Sequence, residues 1–161
     1  MDPRAAEIIR MLELTPHREG GFFREVFRSP RGVMPDDGRA RRSAVTTIFF
    51  LLVEGQVSRW HAVGSDEVWH LYEGRGVEIF VGSPDLDRVE RRTLRAVDGG
   101  EWPTLTVPTG AWQAARPLGP YALSGCTVAP GFDYEDFRLM SDDAAVARKL
   151  ALVAPDLVNL V

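Results

Sequence analysis

The strongest constraint on this chain lies between residues 22 and 128. Short runs of β-branched and aromatic residues alternate there with glycine and proline, and no gap shows helical periodicity. The runs 22–28, 44–53, 57–63, 68–72, 77–81, 90–96, 105–107 and 122–128 read as strands. Gly32, Pro35, Gly38, Gly55, Gly64, Gly74, Gly76, Gly82, Pro84, Gly99, Gly100, Pro108, Gly110, Pro117, Gly119 and Pro120 mark the turns. Parallel strands need long crossovers, usually helical, and none is available here. The pattern therefore predicts an all-β, antiparallel sandwich or barrel.

Helices flank this region. Residues 3–14 place Pro3 in a first turn and Ala5, Ile8, Ile9 and Leu12 at helical spacing, with Thr15-Pro16 as the stop. Residues 141–153 begin with Ser141 as a candidate N-cap, and Asp142 and Asp143 follow it at the positive end of the helix dipole. Val146, Leu150 and Val153 form the apolar face of this second helix. A length of 161 residues suits one domain, 1–161, with the β core at about 22–137.

The formal net charge of −4 argues against a nucleic-acid partner, which needs a concentrated basic surface. Arg39, Arg41 and Arg42, and again Arg88, Arg91 and Arg92, sit among acidic and turn residues and read as solvated loops. Cys126 is the single cysteine, so no internal disulfide forms. It lies in an apolar strand beside no obvious base and reads as a small buried hydrophobe. The first residues lack the layout of a secretion signal, and the apolar runs are too short to span a bilayer. A cytoplasmic location, with no membrane partner, is the expectation.

Chemistry concentrates in residues 55–74. Alternate residues of a strand share a face, so Arg59, His61 and Val63 point one way, and Glu67, Trp69 and Leu71 do so on the next strand. A hairpin at Gly64-Ser65-Asp66 would bring His61 and Glu67 together. A buried imidazole facing a carboxylate is either a metal site or an acid–base pair. His70 and Tyr72 fall on the opposite face, where packing or subunit contact is expected.

Gly55, His61, Glu67 and Gly74 resemble the first cupin motif, with Val63 in place of its second histidine. Pro108 and Gly110 match the centre of the second motif, in which Gln113 replaces the histidine, Trp102 the leading glycine and Pro117 the asparagine. Residues 17–25, Asp66-Glu67-Val68-Trp69, Trp112-Gln113-Ala114 and 130–137 are similar to one group of small, mostly uncharacterised cupins that resemble keto-sugar-nucleotide epimerases. The similarity covers about residues 14–139. It implies a cupin jelly-roll barrel with an N-terminal and a C-terminal helix. It also implies a homodimer, small cupins usually pairing through edge strands, here 22–28.

The resemblance implies a pocket for a small molecule. Most cupins hold a metal with three histidines and a glutamate, a set that is incomplete here. No cofactor is therefore expected, and a divalent metal, if present, would take His61, Glu67 and Gln113. In the metal-free reading His61 and Glu67 are the catalytic pair. Trp69 and Trp112 are walls for a ring, Arg59 and Gln113 hold polar ligand groups, and Glu19, with His17, forms a lip. The leading expectation is an isomerase- or epimerase-like enzyme acting on a polar carbonyl or sugar-like metabolite. A non-catalytic binder or sensor, and a metal-dependent oxygenase or decarboxylase, are the alternatives.

Overall fold

The computed structural model describes residues 1–97 and 101–161. The turn expected at Gly99 and Gly100 falls outside the described residues. The first helix, α1 (Pro3–Met11), starts on Asp2, whose side chain accepts from the amides of Arg4 and Ala5. It stops short of residue 14 because Glu13 takes a left-handed φ of 53°.

Thirteen strands follow among the described residues: β1 (Thr15–Pro16), β2 (Phe22–Arg28), β3 (Gly32–Val33), β4 (Arg42–Ser43), β5 (Thr46–Val53), β6 (Ser58–Ala62), β7 (Asp66–Gly74), β8 (Val77–Gly82), β9 (Val89–Leu94), β10 (Thr104–Val107), β11 (Trp112–Pro117), β12 (Tyr121–Ala129) and β13 (Arg138–Leu139). They form a six-stranded sheet, β1-β2-β5-β12-β7-β10, and a five-stranded sheet, β13-β6-β11-β8-β9, with β3 and β4 as a separate pair. Strand neighbours are antiparallel throughout. The two sheets face each other as a jelly roll.

The two-residue strand period sorts side chains into three layers. Between the sheets, Phe50, Leu52 and Trp69 meet Val77, Ile79 and Ala115. Outside the six-stranded sheet, Leu51, Val53 and Leu123 pack under Ala5 and Ile8 of α1. Outside the five-stranded sheet, Trp60, Phe80, Trp112 and Ala114 pack under Leu150 of the second helix, α2 (Ala144–Val153), and under Leu157 and Leu160 of the closing 3₁₀ turn. Each sheet thus carries a helix on its outer face and leaves its inner face to the core and the cavity. Beyond Phe23, β2 pairs only with β5 among the described residues, and Val26 and Phe27 are exposed along it.

Two expectations shift. α2 begins at Ala144, because Asp143 is the cap that accepts the amides of Ala145 and Val146, while Met140–Asp142 forms a separate 3₁₀ turn. β11 is an unanticipated strand, as are the two-residue strands β1, β3, β4 and β13. In β11 the Ala114-Ala115 pair and polar Gln113 have low β-propensity, and the first four residues are buried, so no polar alternation betrays it.

Candidate active site

Parity on β6 turns His61 into the space between the sheets. The hairpin expected at Gly64-Ser65-Asp66 does not form: β6 pairs with β11 and β13, β7 with β12 and β10, and the chain crosses from one sheet to the other there, so that parity on β7 turns Glu67 into the same space from the facing sheet. Val128 sits opposite Glu67 in the register, and Cys126 sits opposite Ile48. These residues line a cavity of about 240 Å³ together with Thr46, Val63 and Phe23. That is the volume of about eight waters in the liquid. Two further segments complete it. His17 and Glu19 enter from the turn before β2, and Phe132, Tyr134 and Phe137 come from residues 130–137.

The Gly20-Gly21 pair lets Glu19 reach the interior. Both glycines have positive φ, and a Cβ on Gly20 would lie 2.1 Å from the carbonyl oxygen of Val57. The backbone can approach β6 this closely only without a side chain. The Arg59 amide then donates to the Glu19 carbonyl at 2.8 Å, tying the turn to the strand that carries His61.

Hydrogen-bond roles fix the protons. His61 Nδ1 lies 2.7 Å from the Arg59 carbonyl oxygen, which can only accept, so Nδ1 carries a proton. Nε2 lies 3.2 Å from Glu19 Oε2. That contact is a hydrogen bond only if one proton sits between the two atoms, on the carboxyl or on the ring. Burial lowers the His61 pKa, with the Glu67 charge opposing it, and burial raises that of Glu19 against His17, Ser58 and Arg59. Both shifts favour the neutral pair, with the proton on Glu19. Ser58 Oγ donates to the other Glu19 oxygen at 2.9 Å. His17 Nδ1 accepts the Glu19 amide at 3.3 Å, and burial likewise lowers its pKa, leaving it neutral.

Glu67 is held by a chain of donors. The Trp69 indole, which only donates, gives its proton to Gln113 Oε1 at 3.0 Å. This orients the amide so that Nε2 donates to Glu67 Oε2 at 2.5 Å. Burial and the neighbouring Glu19 raise the Glu67 pKa, while His61, Gln113 and the Cys126 thiol pull it down; burial prevails. The Cys126 thiol is itself pushed well up, mainly by burial.

The structure unites His61, Glu67 and Glu19, but the carboxyl in contact with His61 is Glu19. Glu67 acts on the imidazole through its charge. Gln113 touches Glu67 and Trp69 and positions the carboxyl. Trp69 is a core residue, 1% exposed and edge-on to Phe50, and is absent from the cavity wall. Trp112 lies on the outer face of β11, because its neighbour Gln113 takes the inner one. Arg59 also stays out of the cavity, its guanidinium donating to the Arg18 carbonyl. Cys126 does face a base, Glu67, contrary to the sequence expectation. His70 and Tyr72 are absent from the lining, as their parity requires.

The covering segment is the part of the site that patterning missed. Phe137 stacks on His61 with centroids 5.4 Å apart and planes at 28°. Asp136 anchors the segment by ion pairs to Arg39 at 2.7 Å and Arg42 at 2.8 Å, and Arg28 donates to the Phe132 carbonyl. The aromatic residues of 130–137 were visible as a motif, but their irregular 3₁₀ backbone, Tyr134–Asp136, has no periodicity that would aim them.

The metal implied by the cupin resemblance does not fit this donor set. Val63 lines the cavity without a donor atom, Gln113 Oε1 already accepts the Trp69 indole, and both His61 nitrogens are engaged. Among the described residues no three His, Cys, Asp or Glu side chains are grouped to hold an ion. Nor is any described helix long and apolar enough to cross a membrane.

Comparison with known proteins agrees with this architecture. The family described as Cupin superfamily (DUF985) matches residues 6–140. A hypothetical protein from Leishmania major superposes with a TM-score of 0.83 at 32% identity, covering 97% of this chain and 95% of that one. Protein SO0799 from Shewanella oneidensis does so with a TM-score of 0.81, the same identity and the same coverage. The uncharacterized protein YML079W of Saccharomyces cerevisiae is 26% identical over 153 residues, 85% of this chain and 75% of its own length.

Proposed function

The chain belongs to the cupin superfamily, and from that premise we propose that its cavity binds a small polar metabolite, sugar-like or carbonyl-bearing, and moves a proton on it. The reading is of an isomerase- or epimerase-like enzyme. The observation that carries it is the contact of Glu19 Oε2 with His61 Nε2 at 3.2 Å in a buried cavity, with a second carboxyl, Glu67, on the facing sheet.

Burial moves the pKa values of these groups toward one another, raising the carboxyls and lowering the imidazole, so that a proton passes between them at small cost. Groups so poised transfer protons well. In the proposed step one carboxyl, once ionised, takes the proton from the carbon next to a carbonyl, and the electron pair moves to the carbonyl oxygen. The other group returns a proton to the same carbon from the opposite side, and the electron pair comes back. The stereocentre inverts, and the protein ends with its protons redistributed, to be restored through solvent. Glu19 and His61 act as one unit, since proton loss from either is relayed to the other. Phe137 and Phe132 exclude water above them.

A thermal-shift screen of neutral sugars, sugar lactones and other small carbonyl compounds identifies binders. Each binder is then incubated with the protein in deuterium oxide and its mass followed. The expected result is uptake of one deuterium at the carbon beside the carbonyl, dependent on enzyme. Ligands that raise the melting temperature and take up no deuterium would instead make the protein a binder or sensor.

A further inference from the structure

We propose that the part of a ligand entering this cavity is uncharged or cationic, and that carboxylates and phosphates are rejected. This rests on the cavity being the small-molecule site and narrows what it takes. Four carboxyl side chains face the space: Glu19 and Glu67 inside, Glu25 and Asp133 toward the mouth. Arg28 is the single Arg or Lys among the described lining residues, and its guanidinium is already engaged. It grips Glu25 at two points, 2.9 and 2.7 Å, and donates to the Phe132 carbonyl at 3.2 Å.

The two histidines offer no cation in its place. His61 has both nitrogens engaged, and His17 accepts a backbone amide at Nδ1. An incoming anion would leave water, pass the Glu25 and Asp133 carboxyls at the mouth and meet no free positive group inside, so no opposite charge offsets its desolvation. An uncharged ring loses little on entry and gains apolar contact with Phe23, Phe132 and Phe137. A cationic group would gain a carboxylate partner.

Cys126, the single cysteine of the chain, lies on the cavity wall and reports which charge gets in. Because burial raises the Cys126 pKa, the native protein is treated at one alkaline pH with iodoacetamide and with iodoacetate, reagents of nearly equal size that differ by one negative charge. Alkylation is followed by mass, and each rate is divided by that of free cysteine under the same conditions. The expected result is a normalised preference for the amide of more than tenfold. Glu25→Gln, which removes a mouth acid and releases Arg28, should narrow that preference severalfold. Equal rates, or a preference for iodoacetate, would overturn the proposal and leave the cavity standing as a binding site. No alkylation of the folded protein by either reagent even at alkaline pH, where the raised thiol pKa is met, together with no thermal stabilisation by any neutral or cationic compound, would overturn both, since the cavity would then be closed to small molecules. Normal discrimination without deuterium uptake in any ligand would uphold the charge rule and remove only the catalytic reading.

Discussion

Trp112→Ala should cost about 3–5 kcal/mol of folding stability, the usual range for emptying a large aromatic site in a core, and leave ligand affinity per folded molecule unchanged. The side chain is 2% exposed and packs with Trp60, Phe80 and Leu150 beneath the C-terminal helix. Arg138 lies over its ring, 5.1 Å from the centroid. All of these contacts are on the outer face of the five-stranded sheet. Chemical denaturation measures the loss, and titration of a bound ligand measures the affinity. A weakened affinity with undiminished stability would put Trp112 back on the cavity wall.

That residue also marks where sequence reasoning succeeded and where it stopped. Strand parity turned His61 and Glu67 into one space, because each lies in a strand whose period is two, whereas Gln113, expected beside them from the cupin motif, reaches Glu67 but does not line the cavity. The same rule, applied within β11, forbids adjacent Trp112 and Gln113 from sharing a face, so an expectation that used both as lining was inconsistent with the strand it implied. Most strands were legible because β-branched and aromatic runs end at glycine or proline. β11 was not, since its alanines carry neither signal.

The partner of His61 was hidden for a different reason. Glu19 is far from His61 in sequence and lies in a turn, and its approach depends on the positive φ of Gly20 and Gly21 and the contact of Gly20 with Val57. No pattern of hydrophobicity encodes such a path. Only the His17, Glu19 and Gly-Gly combination hinted at it. The covering segment depends on long-range ion pairs from Asp136 to Arg39 and Arg42, residues that read locally as a solvated basic loop.

His61→Asn should lower deuterium exchange into a bound ligand by about a hundred- to ten-thousand-fold, the usual worth of a positioned acid–base group. Asparagine keeps a polar, planar side chain of similar reach but cannot shuttle a proton. Glu19→Gln should cause a loss of similar size, and the double variant should be little worse than either, because the two residues hold the same proton and act as one unit. Binding should weaken far less than exchange, since Phe23, Phe132 and Phe137 still enclose the ligand. Exchange per folded molecule that survives His61→Asn undiminished would remove His61 from the chemistry and leave it a core histidine.

One proton should lie between Glu19 and a neutral His61, and nitrogen-15 NMR of the labelled ring, in the native protein without any ligand, shows where it sits. The lowered pKa means that the ring is less than half charged at pH 6.5, where an ordinary histidine is half charged, and that its second proton binds at more acidic pH than usual. The expected spectrum at neutral pH has Nδ1 in its protonated form, as the Arg59 carbonyl requires, and Nε2 in its unprotonated form, hydrogen-bonded to Glu19. Two protonated nitrogens persisting above pH 6.5 would contradict the claim, because His61 would then be an imidazolium paired with an ionised Glu19.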